Sequence, residues 1–93
     1  MELRIEHDAE RGQFATVVEG LQCELDYRLA GSVMTVTHTG VPEQLGGRGI
    51  AARLVTAALE AARGAGWQVV PACSYAVAFM DKHPEYDDLR LRQ

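Results

Sequence analysis

Val41-Pro42-Glu43-Gln44-Leu45-Gly46-Gly47-Arg48-Gly49-Ile50-Ala51 puts three glycines within four residues, immediately ahead of a helical pattern. Glycine there lets the backbone approach a ligand closely. The first amides of the following helix are unpaired and carry the positive end of its dipole. Such a turn is an anion hole suited to a phosphate or pyrophosphate, and Arg48 adds charge at the same place. It is not the nucleotide P-loop, because the Gly-Lys-Ser/Thr ending is missing. It also fits the dinucleotide GxGxxG pattern poorly, with no acidic residue ending a strand about 20 residues on. Taken alone, a glycine-rich turn reads equally well as a loop that merely bends.

Beyond the loop the period is helical. Ile50, Leu54, Ala57, Ala58 and Ala61 fall on one stripe, with Arg53, Glu60 and Arg63 off it, which predicts a helix over 50–63. Gly64-Ala65-Gly66 ends it with a glycine free to turn left-handed. Residues 67–73 follow as a short apolar strand, in which Pro71 marks an edge or the end of pairing. A second helix over 75–82 must stop before His83-Pro84.

Ahead of the loop the period is two. Residues 3–8, 13–18, 21–29 and 32–41 read as strands. The clearest sets Leu21, Cys23, Leu25, Tyr27 and Leu29 against Gln22, Glu24, Asp26 and Arg28, so one face is buried and one wet. Three short connections make the four an antiparallel meander. The last of them, the helix and strand 67–73 then form a right-handed β-α-β unit, whose ligand belongs at the carboxyl ends of its strands. Val41 and Cys73 stand at those ends. The fold class is therefore mixed α+β.

With 93 residues and no linker or repeat, the whole of 1–93 reads as a single domain. Hydrophobic residues at 47% and charged ones at 24% predict a folded chain. A net charge of -4 with nine Lys plus Arg argues against a nucleic-acid binder. The N-terminus alternates charged with apolar residues, unlike a signal peptide, and the weakly polar run 50–62 is too short to span a bilayer. The expectation is a cytoplasmic protein without membrane attachment, with Cys23 and Cys73 as free thiols.

Gln44-x-x-Gly47-x-Gly49-Ile50-Ala51, read with Thr37-His38-Thr39-x-Val41-Pro42 before it, Pro71-x-Cys73 after it and His83-Pro84-Glu85-Tyr86 near the end, resembles the GNAT acetyltransferase superfamily. Within it the chain is similar to the short, single-domain branch of about this length. The resemblance implies a minimal GNAT fold, with the fourth and fifth strands parallel and splayed. It implies an acetyl-CoA or CoA site made by Val41, Glu43, Gln44, Leu45, Gly46, Gly47, Arg48, Gly49, Ile50, Ala51 and Cys73. The amides of Gly46 to Ile50 would bind the pyrophosphate. Backbone groups of Val41 and Glu43 would meet the pantetheine arm and thioester carbonyl, and the splay would hold the acetyl group. The implied reaction is acetyl transfer to an amine, of which a protein or peptide amine suits the open groove of so short a chain. The other reading is a non-catalytic CoA-binding sensor or partner module.

The chain departs from the larger family in lacking room for the N-terminal helices that shape the acceptor pocket, and again in the helix after the fifth strand. Aligned on the helix whose tyrosine protonates the leaving thiolate, it carries Phe79, leaving Tyr75 or Tyr86 to substitute. Cys73 is a second candidate for catalysis: it precedes a helix whose N-terminal amides attract negative charge, and it reads alternatively as a small side chain closing the core. His38 reads as a base toward the acceptor amine or as a hydrogen-bonded strand residue. His83 reads as a turn cap or a packing partner of Tyr86. His38, Cys73 and His83 match no zinc spacing, so no metal is expected.

Overall fold

The computed structural model describes residues 2–91. Its elements are strands β1 (Glu6–Asp8), β2 (Gln13–Val18), β3 (Leu21–Ala30) and β4 (Val33–Gly40), helix α1 (Ile50–Ala65), strand β5 (Gln68–Pro71) and helix α2 (Ser74–Lys82). The sheet runs β1-β2-β3-β4-β5, antiparallel throughout except for the parallel pair β4–β5. This is the meander plus β-α-β unit that the change of period predicts. Two 3-10 turns, Glu43–Leu45 and Pro84–Leu89, are additions that short sequence patterns do not announce.

One face of the sheet carries Phe14, Cys23, Leu25, Tyr27, Met34, Val36 and Val69 into a single core with both helices. From α1 come Ile50, Leu54, Val55, Ala58, Leu59 and Ala62, a stripe rotated from the predicted one and led by larger side chains than Ala57 and Ala61. The rotation follows from volume, since burying Val55 and Leu59 removes more apolar surface from water than burying two alanines. From α2 come Ala76, Phe79 and Met80. Pairing on β1 begins only at Glu6, although Leu3 and Ile5 still pack against the core. Leu29, on the predicted apolar face, is 44% exposed near the end of its hairpin. The far side of β5 carries a bridge from Val69 to Arg90, with Leu91 N donating to Val69 O.

One irregularity decides which side chains face where at the end of β4. Asp26 pairs with His38, but Tyr27 pairs with Val36, so Thr37 is an extra residue in the ladder. Its hydroxyl donates to Asp26 O at 3.2 Å. Strict alternation from Met34 and Val36 would turn His38 into the core. The bulge flips the phase: Thr39 now opposes Leu25 on the core side, and His38 joins Asp26 on the open face.

Candidate functional site

Pairing between β4 and β5 stops at Val36 and Pro71, with Ala72 N donating to Val36 O at 2.9 Å. β4 runs on to Gly40 against β3 alone, so the two parallel strands part beyond Val36. Into this splay come Thr39 from β4 and Cys73 from the chain after β5, with Thr39 Oγ1 and Cys73 Sγ 3.6 Å apart. Cys73 is the N-cap of α2, and its Sγ accepts from Ala76 N at 3.4 Å. The thiol is thus half-buried and aimed at the amide end of a helix. Cys23, by contrast, is fully buried, and burial followed by the charge of Glu24 raises its pKa.

Beyond Val41 the chain makes its 3-10 turn. Leu45 N donates to Pro42 O and Gly46 N to Glu43 O, while the Leu45 side chain is buried and anchors the loop. Those two amides are consumed inside the turn, so donors open to a ligand begin at Gly47, one residue later than the motif alone suggests. Gly47 and Gly49 have φ of 82° and 77°, the left-handed region in which a side chain is strained. A Cβ at either would meet nothing within 4 Å, so the conformation rather than crowding demands glycine, and the space beside the loop is open. Gly49 also caps α1 without a side-chain oxygen. The first-turn amides of Ile50, Ala51 and Ala52 therefore lack both intrahelical and capping acceptors among the described residues. A diphosphate fits this arrangement. Gln44 and Glu43 are exposed on the turn.

Arg48 does not project freely into that space. Its guanidinium donates to Glu19 Oε2 at 2.6 Å, reaching the β2–β3 hairpin turn. Glu19 is the sole non-glycine at positive φ among the described residues (53°).

His38 lies away from Cys73 in its bonding: Nε2 pairs with Glu24 Oε2 at 3.3 Å on the open face. His83 ends α2, its Nδ1 on Phe79 O at 2.7 Å and its ring stacked on Phe79 at 3.9 Å, so Phe79 rather than Tyr86 is its stacking partner. Phe79 is buried. Tyr86 is committed as well: its hydroxyl donates to Glu60 Oε2 at 2.7 Å. That bond, then burial, pushes its pKa up to about 12. Tyr75, 39% exposed in the first turn of α2, has its pKa raised by partial desolvation and remains the tyrosine closest in sequence to Cys73.

The family model described as "GCN5-related N-acetyl-transferase" matches residues 13–89. The chain belongs to the GCN5-related N-acetyltransferase family. Its relatives include "Protein NATD1" of Bos taurus, 33% identical over 85 residues, covering 88% of this chain and 75% of that one. "Protein NATD1" of Mus musculus is 39% identical over 61 residues, a match that covers 62% of this chain and 56% of the relative, a little over half its length. The NMR solution structure of a GCN5-like protein from Staphylococcus aureus superposes with a TM-score of 0.78 at 28% identity, over 98% of this chain and 90% of the other. This family fold therefore extends along nearly the whole chain, with the glycine loop between its parallel strands. No helix among the described residues is long and apolar enough to cross a membrane.

Proposed function

We propose that the protein binds acetyl-CoA at the loop following β4 and transfers its acetyl group to an amine, with a protein or peptide amine as the acceptor that suits its open surface. The observation that carries the reading is the run from Gly47 to Ala51: two left-handed glycines, open space where their side chains would be, and an uncapped helix N-terminus. Family membership supports the same reaction class. Acetyl-CoA supplies an acetyl group activated as a thioester.

The amides of Gly47, Arg48, Gly49, Ile50 and Ala51 hold the pyrophosphate, by hydrogen bonds and helix dipole together. Val41 and Glu43, leading out of the splay, offer backbone groups along the pantetheine arm. Cys73 and Thr39 line the place where the strands part, and a fixed donor there stabilises the developing oxyanion. His38 takes a proton from the acceptor amine. Proximity supplies much of the remaining rate, since the amine is held against the thioester. A cytoplasmic setting agrees with two free thiols.

Calorimetric titration with acetyl-CoA and with CoA, using Gly47→Glu as control, tests the site. Micromolar binding lost in the variant is the expected outcome; no binding at millimolar ligand overturns the reading. Release of free CoA thiol in the presence of a lysine peptide then tests transfer. The non-catalytic reading is favoured by the buried Phe79 and the occupied Tyr86 hydroxyl, and it predicts equal binding with no release.

A further inference from the structure

We infer that Glu24 is a positioning residue for His38, and that Gly40 leaves the room in which this pair lies. The inference rests on His38 acting as the base of the proposed reaction, and it adds two residues that no motif marks.

Three observations converge. Glu24 Oε2 and His38 Nε2 are 3.3 Å apart although fourteen positions separate the residues. The bulge at Thr37 brings His38 to the open face beside Asp26 and sets Gly40 opposite Glu24. A Cβ built on Gly40 would lie 2.6 Å from Glu24 Oε2, 2.7 Å from His38 Nε2 and 3.3 Å from His38 Cε1. Gly40 is not among the positive-φ glycines, so backbone conformation does not explain it. Gly40 ends β4 directly opposite Glu24, and a side chain there would have to displace the ends of the Glu24 and His38 side chains.

The other carboxylate near His38 is engaged elsewhere: Asp26 Oδ1 accepts from Gln13 Nε2 at 3.0 Å. Glu24 therefore faces His38 with an oxygen to spare. An ionised carboxylate only accepts, so the shared hydrogen belongs to Nε2, and a ring that carries one proton has its lone pair on Nδ1. Glu24 is 25% exposed and His38 54%, which leaves the ring accessible to an incoming amine while the carboxylate is held in the sheet. In the reaction, Nδ1 takes one proton from the acceptor ammonium, freeing the nitrogen lone pair. The C–N bond forms as the C–S bond breaks. The second amine proton ends on the departing sulfur, and the first passes from His38 to solvent.

The test combines nitrogen NMR of the imidazole with steady-state kinetics on the full chain. Wild type should show His38 as the Nε2–H tautomer. Glu24→Ala and Gly40→Ala should each give a tautomer mixture, whereas Glu24→Gln, whose amide oxygen still accepts, should restore Nε2–H. In kinetics, the two alanine variants should lower kcat by about tenfold or more, part of the factor a positioned base supplies, with KM for acetyl-CoA unchanged. Melting curves identify any variant that simply misfolds, and the two alanine variants perturb the pair from opposite sides. A His38 tautomer that is Nδ1–H in wild type, or that neither alanine variant moves, overturns the pairing. A tautomer shift with kcat within twofold of wild type overturns the catalytic role. Absence of turnover in the wild type itself would instead fall on the acetyltransferase reading, and the NMR arm would still decide the pairing.

Discussion

The two ends of α1 are built on opposite plans. At the C-terminal end, Gly66 turns left-handed, Trp67 N reaches Ala62 O and Gly66 N reaches Arg63 O, which closes a Schellman motif. Arg63 then donates to Asp88 and to Glu85 O and lies over the Tyr86 ring, whose hydroxyl returns to Glu60. At the N-terminal end, Gly49 brings no capping side chain, and the first-turn amides find no acceptor among the described residues. One end is satisfied by the protein itself, the other by none of the described residues. If the proposed acetyl-CoA site lies at the second end, stability and binding should respond independently to mutation at the two.

The largest effect is expected at the open end. Gly49→Val forces a β-branched residue into the left-handed region and costs about 2–3 kcal/mol of stability. Acetyl-CoA binding should weaken by roughly 100-fold, since a shift of about 1.4 kcal/mol is tenfold and the amides are also displaced. Equal affinity in a folded Gly49→Val protein, read by calorimetry, would separate the loop from the ligand.

The closed end should show the reverse. Tyr86→Phe removes a hydrogen bond to a carboxylate and lowers stability by about 1–2 kcal/mol, with acetyl-CoA affinity unchanged. Its pH dependence gives a second reading of the same bond. Tyr86 titrates at about 12 in the folded protein against an ordinary value of 10.0. The folded state thus holds the hydroxyl proton more tightly, so this stabilisation is complete below pH 10 and is lost as pH rises toward about 12. Denaturant titrations from pH 9 upward should show that alkaline decline flattened in Tyr86→Phe. At the acid limb, the bond to Arg63 lowers the pKa of Asp88, so its contribution is present above the ordinary carboxylate range and fades as pH falls below it.

Most of the scaffold was legible before the structure because periods of two and 3.6 report burial directly. The strand of Leu21 to Leu29, the glycine loop and the Gly66 stop follow from residue type and spacing. The candidate site was legible only in its backbone part. Thr37 carries no glycine or proline signal, so the bulge is invisible in sequence, and with it the turning of His38 outward and Thr39 inward. The partners that matter are set by register: Glu24 is fourteen residues from His38, and Thr39 is thirty-four from Cys73. Gly40 ends β4, and a glycine beside a turn does not by itself announce that side chains lie over it. Arg48 read as a free cation because nothing local predicts that Glu19, in a hairpin turn, reaches it.

That contact supplies the smallest and most informative change. Glu19 and Gly20 sit between paired residues Val18 and Leu21, both with positive φ (53° and 77°), the geometry of a primed two-residue turn in which asparagine is preferred. Glu19→Asn relieves backbone strain and removes an ion pair that is 35% and 62% exposed, so worth about 0–1 kcal/mol. The two effects nearly cancel, and stability should change by less than about 0.5 kcal/mol. Binding should not be neutral. The Glu19 carboxylate occupies the guanidinium of Arg48, one residue before the Gly49 cap of α1, and adds a negative charge beside the proposed phosphate site. Its removal frees Arg48, so acetyl-CoA should bind roughly threefold more tightly at low salt, with the gain shrinking as salt screens the charges. Tighter binding would mean that the hairpin restrains the loop's charge. Weaker binding would mean that Glu19 holds Arg48 where a phosphate needs it, and the open end of α1 would then depend on a side chain after all.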